Sequence, residues 1–223
     1  MLTVTPIDTQ DSILVLGGWS FAPNILRPIF GEQAIYADVN TLIPQLVNDD
    51  HLVDNWQERL PEATGIDSLD AFTIVAGWST GAMLAWSLAQ SCSPRKQILL
   101  SPASGFCSRE QFSAGWKPSV LKIMRRRLRR NVEATLDSFH RQAGLAHPDT
   151  GYRRYSADQL ECGLIFLQEA SLLPLHRARC TTEVWYGTQD AIIPPTASAL
   201  FAERIGAHPK AYPGGHVFFI RGG

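Results

Sequence analysis

The sequence predicts an α/β fold: a mostly parallel sheet with helices on both faces, interrupted once by a helical insertion. Three observations carry this. Short apolar runs ending in glycine or turn residues alternate with amphipathic stretches through residues 12–100. The strand pattern stops between about residues 102 and 175. It resumes near residue 183 and continues almost to the end. Strands that alternate with helices are buried on both faces, so they read as continuous apolar runs. Neither flank of the interruption has enough strands to close a sheet alone. Residues 1–223 therefore read as one domain, with the insertion at about 102–175 acting as a lid.

The elements follow in order. Ile13-Leu14-Val15-Leu16 before Gly17-Gly18 is a buried strand leading into a loop, and Gln33 to Asp38 holds a second. Leu42, Leu46, Leu52, Val53, Trp56 and Leu60 are spaced as one helical face closed by Pro61. Phe72 to Gly77 is a third strand, followed by a helix from about Thr80 to Ala89 and a fourth strand at Gln97 to Leu100. Inside the insertion, helical spacing runs from near Pro118 to Ala143 and from near Ala157 to Ala170. Glu183 to Gly187, a helix near Pro195 to Ile205, and Lys210 to Tyr212 complete the alternation.

Composition narrows the function classes. With 45% hydrophobic and 18% charged residues and a formal net charge of -1, the chain has no global attraction for nucleic acid or a membrane surface. Its four cysteines are scattered without a CxxC pair, which fits reduced thiols in a cytoplasmic protein. The six histidines show no metal-ligand spacing, so no metal is expected. Met1 to Ser12 carries no basic stretch followed by an apolar run, and no leader is expected there. No apolar segment approaches the roughly 20 residues of a membrane span.

Gly77-Trp78-Ser79-Thr80-Gly81 matches the GxSxG nucleophile elbow, and it lies between a strand and a helix as the motif requires. A glycine-rich turn alone satisfies the same string; the strand–helix setting favours the functional reading. A serine hydroxyl needs a base and an acid to orient that base. In the α/β-hydrolase arrangement these follow in the order Ser, Asp or Glu, His. Asp190 follows the Glu183–Gly187 strand, and His216 follows Gly214-Gly215 after the last one. Asp158 and His208 are competing groups on poorer elements. The oxyanion would be held by the backbone N–H of Thr80 and that of Trp19, in the loop after the first strand. The Trp19 ring is expected to line an acyl pocket, with a core-filling ring as the alternative.

Over most of its length the chain resembles the pimeloyl-[acyl-carrier protein] methyl ester esterases of biotin synthesis. The likeness rests on Leu14 to Trp19, Gly77-Trp78-Ser79, Ser101 to Ser104 with Phe106, and Trp116 to Leu121. It extends to Leu160–Leu167, Tyr186-Gly187 with Asp190, and His216 with Phe218 and Phe219. The resemblance implies an esterase that needs no cofactor and acts on an acyl ester carried by acyl-carrier protein, with Phe139 touching the acyl chain. The chain departs from the family in having Gly17-Gly18 for His-Gly and Asp38-Val39-Asn40-Thr41 for Asp-x-Pro-Gly-x-Gly, and in lacking a closing helix after His216.

Arg125, Arg126, Arg127, Arg129 and Arg130, with Lys117 and Lys122, form a basic run without an acid. Leu121, Met124, Leu128, Val132 and Leu136 recur at helical spacing and put the arginines mainly on the opposite face. Such a face suits an acidic carrier protein; a solvated helix face is the plainer alternative. RNA is disfavoured because no aromatic platform accompanies the arginines. Two further function classes stay open. One is a thioesterase or small-ester carboxylesterase with the same triad. The other is a non-catalytic binding protein on this scaffold.

Overall fold

The computed structural model describes residues 11–110, 114–147 and 149–220. Most of the N-terminal stretch read for a leader, residues 1–10, lies outside the described residues. Strands β1 (Ile13–Leu16) and β2 (Ile35–Ala37) flank helix α1 (Arg27–Phe30). Helix α2 (Val39–Leu42) leads to the short strands β3 (Val47–Asn48) and β4 (His51–Leu52), then α3 (Trp56–Ala63). Strand β5 (Ile74–Trp78), helix α4 (Thr80–Ser91) and strand β6 (Lys96–Leu100) follow. Between the sheet strands β6 and β7 lie α5 (Pro118–Arg130), α6 (Val132–Gln142) and α7 (Ala157–Glu169). The chain then forms β7 (Thr181–Gly187), α8 (Pro195–Ile205) and β8 (Pro209–Tyr212).

Six strands form one sheet in the order β2-β1-β5-β6-β7-β8, and every pairing in it is parallel. All residues of β1 and β5 are buried, as expected of strands covered on both faces. Because successive side chains point to opposite faces, one strand feeds two cores. Ile13 and Val15 join the core beneath the inserted helices, with Ile74, Ala76 and Trp78. Leu14 and Leu16 join the other, with Val75 and residues of α3, α4 and α8.

Two sequence expectations change. The apolar residues from Leu42 to Leu60 do not lie on one helix. Pro44 follows α2 in a short 3-10 turn, and Asp49 and Asp50 take left-handed φ values of 46° and 63° at the tip of the antiparallel β3–β4 hairpin. Adjacent residues of that conformation suit a tight hairpin and are foreign to a helix. Pro61 lies inside α3 and does not close it. The stretch from Pro118 to Ala143 also divides. Asn131 leaves helical geometry, and its side chain accepts from the Ala134 N–H at 2.9 Å, capping α6.

Glu183 joins three strands of the sheet. Lys96 of β6 and Lys210 of β8 each approach its carboxylate to 2.6 Å, and the Trp185 indole donates at 2.9 Å. Partial burial pushes this carboxyl up, but the hydrogen bonds from Lys210, Lys96 and Trp185, with the Lys96 charge, hold it down to about 2 from the usual 4.5. A depressed folded-state value means that the contribution is complete above the unfolded value and is lost as pH falls through the folded one. Thermal melts should therefore show Glu183→Gln less acid-sensitive than the wild type between about pH 4.5 and about pH 2. Identical pH slopes for the two proteins would contradict this.

Candidate active site

Ser79 sits at the turn between β5 and α4 with φ 57° and ψ −120°, a conformation rare outside glycine. Its neighbours make that turn possible. A Cβ on Gly77 would lie 2.1 Å from the Gly81 carbonyl oxygen, and one on Gly81 would lie 2.2 Å from that of Gly17. Only glycine at both positions lets helix and strands approach so closely. Ser79 occupies the N-cap position of α4, where serine commonly spends its oxygen on the helix. Here the side chain makes no capping bond, so the hydroxyl is not consumed. The Thr80 N–H is the first of the helix and has no partner within it. The Thr80 hydroxyl is buried without a partner among the described residues.

The loops after β7 and β8 bring Asp190 and His216 together. The Thr188 and Gln189 N–H groups donate to the carbonyls of Tyr212 and Gly214, each at 2.8 Å. Gly187 crosses so near that a Cβ there would meet the Gly215 oxygen at 2.1 Å. His216 Nδ1 then lies 2.8 Å from Asp190 Oδ2, with both side chains almost wholly buried. The Ser101 hydroxyl donates to the same oxygen at 2.8 Å, and the N–H groups of Ile192 and Ile193 donate to Oδ1 at 2.8 and 2.9 Å. Burial raises the Asp190 pKa, but the His216 charge and hydrogen bond, with those two N–H donors, hold it below the ordinary carboxylate value.

Trp78, inside the elbow, anchors the histidine loop. Its indole donates to the His216 carbonyl at 3.1 Å, and the two rings lie 5.0 Å apart. The Ser79 hydroxyl and His216 Nε2 are not joined by a hydrogen bond, a contact that is often loose before substrate arrives. Of the competing groups, Asp158 lies exposed in the first turn of α7 and His208 is exposed before β8.

The Trp19 ring sits in the core beneath the inserted helices. It is 2% exposed, donates to the Leu160 carbonyl at 2.9 Å, and packs so tightly on Gly163 that a Cβ there would meet it at 2.1 Å. The core-filling alternative therefore describes this ring. Phe139 does line a groove of about 610 Å³ between α5 and α6, with Val120, Ile123, Met124 and the edge residues Arg127 and Arg130. Its ring meets Trp19 edge-on at 5.0 Å.

The basic run divides in two. Arg125 and Arg129 do not face solvent as free charges: both donate to the carboxylate of Glu161 on α7, and both lie near Asp50 of the hairpin. Partial burial raises the Glu161 pKa, while the hydrogen bonds from Arg129 and Arg125 bring it below its usual value. Arg126, Arg127 and Arg130 are exposed. The hydrogen bond of Ser101 to Asp190 and the anchoring role of the Trp78 indole escaped the sequence reading. Both stand in segments that carry the family resemblance, but nothing there assigned Ser101 to the acid or Trp78 to the histidine loop. The described residues contain no cluster able to hold a metal ion, and none of their helices is long and apolar enough to cross a membrane.

Residues 13–222 match the model of the alpha/beta hydrolase family. No curated protein matches the sequence. Among solved structures, the chain is similar to an esterase from Exiguobacterium antarcticum, with a TM-score of 0.65 at 15% identity over 96% of this chain and 88% of that one. BioG from Haemophilus influenzae gives 0.60 at 17% identity, covering 95% and 92%. The RedJ thioesterase of the prodiginine pathway in Streptomyces coelicolor gives 0.57 at 17%, covering 95% and 84%. At such identities the likeness is one of fold.

Asp190→Asn should retain the buried loops yet favour the wrong histidine tautomer. A loss of roughly 10⁴-fold in kcat on an ester is expected, by analogy with the template triad. Wild-type turnover in that variant, with inactivity in Asp158→Asn, would move the acid elsewhere.

Proposed function

The chain belongs to the alpha/beta hydrolase family, and from that premise we propose that it is a serine carboxylesterase working through Ser79, His216 and Asp190. The observation that carries this reading is the buried Asp190–His216 hydrogen bond, with His216 held against the elbow by Trp78. His216 Nε2 takes the Ser79 proton as Oγ attacks the ester carbonyl. Asp190 fixes the Nδ1–H tautomer and stabilises the imidazolium. The N–H groups of Thr80 and Trp19 receive the oxyanion. His216 then returns the proton to the departing alcohol. Water, deprotonated by the same histidine, releases the acyl group and restores Ser79. No cofactor enters this cycle.

The substrate in this reading is the methyl ester of a pimeloyl-type acyl chain on acyl-carrier protein. Support comes from the sequence resemblance and from the apolar α5–α6 groove, edged by Arg127 and Arg130. The exposed arginines Arg126, Arg127 and Arg130 supply the docking charge, since Arg125 and Arg129 are engaged with Glu161. Phe139, on the groove wall, contacts the acyl chain. The inserted helices act as the lid. Free, unpaired cysteines and a carrier-borne substrate suit a cytoplasmic enzyme. A thioesterase would use the same acyl-enzyme chemistry, and likeness to the RedJ thioesterase keeps that second reading open. A binding protein on this scaffold would have no need of a buried, fully hydrogen-bonded acid beside the histidine.

Ser79→Ala should abolish ester hydrolysis and leave the circular dichroism spectrum unchanged; retained turnover excludes the elbow serine as nucleophile. Charge reversal at Arg126 and Arg130 together should raise KM for a carrier-linked ester and leave a small free ester unaffected. The carrier-dependent rate should also fall steeply with salt, because exposed charges are screened over about 10 Å at 0.1 M. Equal effects on both substrates, or none on either, would remove the carrier from the account.

A further inference from the structure

Ser20 follows Trp19 in the loop after β1 and is fully buried with a left-handed φ of 64°. A non-glycine residue holds that conformation only when its surroundings enforce it. Two side chains do so from opposite sides. Asn40, fully buried in α2, accepts the Ser20 N–H at 2.8 Å and donates to the Phe21 carbonyl at 3.2 Å. His140, fully buried on α6, places Nε2 3.0 Å from the Ser20 hydroxyl and stacks on the Phe21 ring at 4.3 Å. The Nδ1 atom of His140 has no partner among the described residues. Among the described residues, Ser20 is the one residue whose side chain hydrogen-bonds that ring.

The loop is therefore pinned on both sides of one peptide. Upstream, the Trp19 indole is tied to Leu160 of α7. Downstream, Ser20 is tied to Asn40 and His140. Directly before these two anchored residues, on the Gly18–Trp19 peptide, lies the Trp19 N–H, which has no backbone acceptor among the described residues. An oxyanion donor works only if it is aimed before the charge develops.

Resting on the hydrolase reading above, we infer that His140 is a positioning residue. Through the Ser20 hydroxyl it orients the Trp19 N–H toward the oxyanion and makes that donor depend on the seating of α6. The inserted helices in this account complete the transition-state site as well as covering it. The effect falls on charge that exists only in the transition state, so it belongs to kcat and not to ground-state binding.

The test is steady-state hydrolysis of a small free ester by His140→Phe, which keeps the ring stacking and removes the hydrogen bond. Removing a whole oxyanion donor costs about 10²–10³ in kcat. Misaiming one should cost roughly 10- to 100-fold, with KM little changed. Ser20→Ala should give the same loss, and the double variant should be no worse than either single one, because both remove one contact. His140→Asn, which can still hydrogen-bond Ser20, should recover part of the rate. If His140→Phe does not fold, Ser20→Ala carries the test alone. Wild-type kcat in folded His140→Phe or Ser20→Ala overturns the inference, as do fully additive losses in the double variant. Turnover that survives Ser79→Ala would overturn the hydrolase reading and this inference with it. Ser79-dependent turnover indifferent to both substitutions overturns the inference alone.

Discussion

A carboxylate cannot be buried without compensation, and Asp190 is buried almost completely. Its two oxygens receive four hydrogen bonds: from His216, Ser101, Ile192 and Ile193. These donors come from three parts of the fold. Ser101 directly follows β6 in a left-handed conformation with φ 44°, Ile192 and Ile193 lie in the acid's own turn, and His216 arrives from the loop after β8. Satisfying one buried charge therefore draws the C-terminal ends of three adjacent parallel strands to one point. The Trp78 indole then ties the histidine loop to a fourth strand, β5, which carries the elbow. Open parallel sheets place ligand sites at the carboxyl ends of their strands, and here one carboxylate organises that end.

The inserted helices are attached by contacts of two kinds. Glu161 gathers Arg125 and Arg129, so α5 and α7 are held together by a carboxylate that shares its charge with two guanidiniums. Ionic contacts of this partly exposed kind contribute little stability singly, but they fix orientation. The second kind is buried and short-range. Phe139 packs on Trp19, and His140 reaches Ser20. The Val217 N–H donates to the Ala143 carbonyl at 3.2 Å, which places the end of α6 against the histidine loop. Displacing α6 would therefore disturb both the loop after β1 and the loop bearing His216.

Much of this was legible from local pattern. Buried strands read as apolar runs, and α8 is bounded by Pro195 at its start and Gly206, at φ 74°, just past its end, the usual helix punctuation. The GxSxG string and the chain order singled out Ser79, Asp190 and His216, and the structure joins the latter two. What was not legible depends on partners distant in sequence. The apolar residues from Leu42 to Leu60 come from a turn, a hairpin and a short helix that all pack into or against the same core, and their spacing along the chain matched a single helix face by coincidence. The basic run of α5 could not be divided without knowing that Glu161 lies beneath it, more than thirty residues later. Asn40, Ser101 and His140 are ordinary residues in sequence, and their significance comes entirely from what they face.

The central claim is that the hydroxyl of Ser79 is made nucleophilic by the buried His216–Asp190 pair. Mass spectrometric mapping of the adduct formed with a fluorophosphonate tests it most directly, because the reagent reacts with an activated serine whatever the natural substrate. The account predicts a single phosphonylated peptide containing Ser79, with labelling greatly slowed in His216→Ala. Labelling at another serine, or undiminished labelling of Ser79 without His216, would contradict it.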